Sequence, residues 1–103
     1  MNLKRYIDVA VRRELRRHLD SEADDAFFYL RDVSNSLNYD GALSANSSFA
    51  NASSDKQRKV SVQRLLGEIE KLKALNDGLH RQNLDKLNFA KRYYKKVLTL
   101  FGE

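Results

Sequence analysis

The chain has 103 residues, no cysteine, no proline and four glycines, and its 19 Lys and Arg against 14 Asp and Glu give a net charge of +5. This length holds one domain with a core of modest extent, and the lack of cysteine excludes disulfides, thiolate metal sites and cysteine nucleophiles. Helix-forming Leu, Lys, Arg, Asp, Glu and Ala dominate, which predicts an all-α fold.

The first stretch, about residues 2–19, sets Leu3, Ile7, Ala10 and Val11 on one side of a helix. Arg12, Arg13, Arg16 and Arg17 occupy an arc of roughly 140° on the other side. Charge interrupts this stretch where a secretion signal needs apolar residues, and no apolar run reaches the roughly 20 residues of a membrane span. A soluble, cytoplasmic protein is expected.

At Asp20-Ser21 the pattern meets a helix-start signal, with Asp24 three residues beyond Ser21. The second stretch, ending near residue 38, either bends away from the first or continues it, and is expected to bury Ala23, Ala26, Phe27, Leu30, Val33 and Leu37. Residues 1–38 thus form two N-terminal amphipathic helical segments. Residues 39–55, YDGALSANSSFANASSD, are rich in Ser and Asn and nearly uncharged, which predicts a loop or linker. Leu43 and Phe49 are expected to pin it, and Ser54 or Asp55 to cap the following helix. The glycosylation-like tripeptides at Asn46 and Asn51 read as plain linker residues.

Residues 56–103 are the most regular part and carry a net charge of +7, against −4 for residues 20–33. Val62, Leu65, Ile69, Leu72, Asn76, Leu79 and Asn83 keep a seven-residue repeat, and a four-residue step then leads to Leu87, Ala90, Tyr94, Val97 and Phe101. The ladder holds phase across Asn76-Asp77-Gly78, which predicts one long coiled-coil-like C-terminal helix. At about 45 residues such a helix is roughly 67 Å long and overhangs a globule whose radius of gyration is about 13 Å. Its seam then requires a second copy or another helical protein. Asn76 and Asn83 at core positions either pair with their equivalents in a parallel dimer or meet water at the edge of an antiparallel hairpin. Against continuity, Asn-Asp-Gly is turn-forming and each glycine costs about 1 kcal/mol in a helix. A turn there gives a small four-helix bundle.

Two dibasic patterns, Arg12, Arg13, Arg16, Arg17 and Lys91, Arg92, Lys95, Lys96, each present four charges opposite an apolar face. They suit a phosphate backbone, an acidic protein surface or simple solvation. Tyr93 lies near the second of them. The C-terminal segment is also basic on one side and apolar on the other, as in a membrane-surface helix, but packing against the first helices explains it without a membrane.

An EF-hand starting at Asp20 would need glycine and glutamate where Asp25 and Arg31 stand. His18 and His80 lack partners at metal-ligand spacing. No glycine-rich phosphate loop, nucleophile motif or paired-acid arrangement occurs. Neither metal nor cofactor is expected. The leading expectation is a non-enzymatic assembly or adaptor protein that self-associates or binds a helical protein through the seam. The alternative is a small DNA- or RNA-binding protein using the basic faces, and a third option is an inhibitor-like viral or bacterial protein docking on an acidic host surface.

Overall fold

The computed structural model describes residues 21–101. The first helical stretch, with Arg12, Arg13, Arg16, Arg17 and His18, lies outside them, and the alternative of a break at Asp20-Ser21 falls at their boundary.

Helix α1 occupies residues 21–37 and buries Ala26, Leu30 and Val33, which recur at three- and four-residue intervals on one face. Phe27, expected inside, is 37% exposed. The helix ends at Asn38, whose φ of 53° is left-handed. There the Tyr39 N–H donates to the Ser34 carbonyl at 3.0 Å, the bond from C″ back to C3 that closes many helix ends.

The expected loop at 39–55 is mostly helical: α2 spans Gly41–Ala50. Its Ser and Asn content weakens intrinsic helicity, but Ala42 and Ala45 are fully buried. Their small side chains let the α2 backbone lie close to its neighbours, so tertiary packing overrides propensity. Leu43 and Phe49 pack against the core, and Phe49 meets Phe101 with ring centroids 6.1 Å apart. The true connection into the next helix is residues 51–54.

Helix α3, Asp55–Leu75, starts at Ser54, whose hydroxyl accepts the Gln57 N–H at 3.2 Å. The Gln57 side chain reaches back to the Ser53 N–H at 2.9 Å. The first bond satisfies a donor that the first turn would otherwise leave unpaired, and the second ties the residue before the cap to the helix.

The single long helix is not formed. The chain turns after Leu75 and resumes as α4, Arg81–Leu100, antiparallel to α3. Gly78 takes φ 70°, a region closed to most other residues, and Leu79 N–H donates to Asn76 O at 2.8 Å. Turning here lets Val62, Leu65, Ile69 and Leu72 bury against Leu87, Ala90, Tyr94 and Val97 of the same chain. A continuous helix would leave that apolar surface in water, which is the unfavourable alternative for a lone chain.

The result is an all-α four-helix bundle, with no strand among the described residues. Helix α2 runs antiparallel to α3. Three contacts fix α1 antiparallel to α4: Lys96 with Glu22 at 3.4 Å, Tyr29 with Phe89 at a centroid distance of 5.2 Å, and Lys86 with Asp32 at 3.7 Å. The acidic second segment therefore lies on the cationic last one, within one molecule.

Candidate interaction surfaces

Four ladder residues, Val62, Leu65, Ile69 and Leu72, have no exposed surface. The two ladder asparagines are also buried, and they pair with each other: Asn83 Nδ2 donates to Asn76 Oδ1 at 3.1 Å, while Asn76 Nδ2 donates to the His80 carbonyl at 2.9 Å. Of the two readings of these asparagines, the antiparallel hairpin is the arrangement found, but in place of meeting water at its edge the two side chains are buried and bonded within the chain. Leu79 alone leaves the seam. It sits in the turn, 63% exposed, between Leu75 at 51% and Leu84 at 39%, so three leucines close in sequence stay in water at one end of the α3–α4 hairpin. Arg81, Asp77 and Asp85 stand exposed among them, giving that end both signs of charge.

The basic residues of α4 divide by position. Lys91 Nζ binds Glu70 at 2.6 Å and Lys96 binds Glu22, so both serve as interhelical ties. Arg92 and Lys95 are exposed and form no ion pair among the described residues. Tyr93 packs on the core and meets Tyr94 edge-on at 4.8 Å.

A polar cluster that the sequence does not announce joins the start of α2 to α3. The Tyr39 hydroxyl donates to the Glu68 carboxylate, and Lys71 Nζ lies 3.3 Å from the other carboxylate oxygen. The Tyr39 bond holds the Glu68 carboxyl below its ordinary range, helped by Lys71, and the same bond raises the Tyr39 phenol. Gly41 makes room for this pair, because a Cβ there would meet both the Glu68 carboxylate and the Tyr39 ring. Glu70 is held low chiefly by Lys91. Burial raises the Tyr94 phenol, whose hydroxyl donates to Asn46 Oδ1 at 3.1 Å.

An open groove of about 360 Å³ runs between α1 and α4, lined by Tyr29, Gln82, Asp85, Lys86, Phe89 and Arg92. Of these residues, only Arg92 stands out from sequence. Lys86, Phe89 and Arg92 follow one another at three-residue spacing along one face of α4, a pattern that would have revealed the groove's α4 wall. Tyr29 arrives from α1 and has no such signature.

Among the described residues no three His, Cys, Asp or Glu side chains cluster as metal ligands do, and no helix is long and apolar enough to cross a membrane. Comparison with protein-family models, with curated proteins and with solved structures finds no match to any of the three.

Proposed function

We propose that the chain is a non-enzymatic assembly protein that associates with a second copy of itself through the α3–α4 end of the bundle. The observation that carries this reading is the exposure of Leu75, Leu79 and Leu84 together, in a chain that buries the rest of its leucine ladder. Scattered exposed leucines are ordinary, whereas a group of them framed by polar residues marks contact surfaces. A two-fold contact must be self-complementary, and an end bearing Arg81 beside Asp77 and Asp85 meets that condition better than it suits a uniformly acidic partner.

Molar mass from light scattering across a range of protein concentrations tests the reading. Association is expected, with Leu79→Asp or Leu75→Asp returning the protein to one chain. Val60→Asp, at another exposed apolar position, is expected to leave the mass unchanged. A wild type that remains a single chain at high concentration overturns self-association. Association that only Val60→Asp disrupts would move the interface elsewhere and overturn the assignment of this end.

A further inference from the structure

We infer that the α1–α4 groove is a binding site for single-stranded nucleic acid, in which one base stacks on one ring of the Tyr29–Phe89 pair and the adjoining phosphates meet Arg92 and Lys86. This inference does not depend on the leucine-bearing end.

The groove combines what such a ligand requires. Its volume of about 360 Å³ lies within the range of sites that hold small aromatic groups. Tyr29 and Phe89 stand at 90° to each other and are both half-buried, so their rings are fixed yet still reach solvent. Any nucleobase can stack on one such ring, with the other held edge-on beside it. Arg92 lies one helical turn from Phe89, exposed and without an ion pair among the described residues, and its planar guanidinium suits a phosphate. Lys86 lies one turn on the other side. Its tie to Asp32 is loose at 3.7 Å, weak enough at the surface to yield to a phosphate. Gln82 adds donors and an acceptor for a base edge. Asp85 is the one opposing charge in the lining. Bases in a duplex are stacked on each other and cannot reach these rings, so the geometry selects a single strand.

The test uses the whole protein and a fluorescein-labelled twelve-residue thymidine oligonucleotide, with its duplex and poly-glutamate as competitors. The single strand is expected to bind at low salt and to be displaced poorly by either competitor, with amide shifts in NMR spectra centred on Gln82, Phe89 and Arg92. Phe89→Leu keeps the apolar volume and removes the stacking ring, and should weaken binding roughly fivefold or more. Arg92→Ala, at an exposed position, should reduce the slope of log affinity against log salt by about 0.7, the value of one lost phosphate contact on a single strand. Absence of binding at low salt overturns the inference. So does equal competition by poly-glutamate, which would mark the groove as a site for acidic protein, or binding that neither variant alters.

Discussion

The Asn83 side chain donates to the Asn76 side chain across the α3–α4 turn at 3.1 Å, and Asn76 in turn donates to the His80 carbonyl. The two residues a coiled coil would use to select its strand number here select the geometry of a hairpin. Asn76 occupies both bonds, so Asn76→Ala leaves a buried Asn83 amide without an acceptor and is expected to cost about 1–3 kcal/mol. Asn83→Ala leaves the Asn76–His80 bond standing and should cost less. Urea unfolding at constant m-value reads both differences, and equal losses would contradict the asymmetry.

Leu72 and Leu79 occupy equivalent ladder positions but opposite environments, so charge at each has a different effect. Leu72→Asp places a carboxylate in the core and should abolish cooperative thermal unfolding in circular dichroism, since truncation to Ala alone costs about 2–5 kcal/mol. Leu79→Asp should leave the melting transition nearly unchanged at concentrations too low for association. A folded Leu72→Asp protein would mean that α3 does not pack as described.

Three glycines predict opposite effects of an added methyl group. Gly67 lies in α3 with open space where a Cβ would go, so Gly67→Ala should stabilise by roughly 0.5–1 kcal/mol. Gly78→Ala should destabilise by about 1 kcal/mol, because its φ is positive. Gly41→Ala forces Tyr39 away from Glu68 and should destabilise too. Gly67→Ala should melt above the unsubstituted protein, and Gly78→Ala and Gly41→Ala below it.

Stability should decline at both ends of the pH scale. Glu68 and Glu70 titrate below their ordinary value of 4.5 in the folded protein, so the unfolded chain binds their protons first. Their contribution is complete above that value and is lost as pH falls through the lower folded values. Tyr39 and Tyr94 titrate above their ordinary value of 10.0 when folded. Their contribution is complete below pH 10 and is lost as pH rises beyond it, because the unfolded phenols ionise first. Thermal melts against pH check both limbs. Tyr39→Phe should flatten the acid limb by releasing Glu68, and an unaltered acid limb in that variant would refute the assigned cause.

Composition and the period of the apolar residues made the helical class readable, and the ladder positions other than Leu79 are buried or packed on the core, whereas the buried Ser61, Glu68 and Leu98 lie off it. The turn was harder to read because the seven-residue phase runs unbroken from Leu72 to Leu79, although Leu79 ends in solvent. Periodicity records which residues share a helix face and says nothing of whether the partner helix belongs to the same chain. The weight lay instead in Asn76-Asp77-Gly78, whose turn chemistry decides the matter once α4 can cover α3. Helix α2 was masked by its Ser and Asn residues, and only Ala42 and Ala45, small and three apart, hinted at a packed face. Of the candidate surfaces, the dibasic pattern on α4 was visible, but two of its four cations proved to be interhelical ties to Glu70 and Glu22. The aromatic groove depends on residues 60 apart in sequence meeting in space (Tyr29 and Phe89), which no local pattern encodes.

Helices α2, α3 and α4 follow one another as neighbouring hairpins, whereas α1 meets α4 only through contacts such as Glu22 with Lys96, 74 residues apart. Hairpins close short loops and assemble quickly, while the α1–α4 contact must bear the entropy of closing a far longer stretch of chain. Substitutions in the α1–α4 seam, Tyr29 and Phe89 foremost, should therefore act mainly on the unfolding rate if that closure follows the rate-limiting step, and on the folding rate if it is the step itself. The contact with the widest separation in sequence among the described residues, Glu22 with Lys96, thus belongs to the same α1–α4 seam that forms the groove.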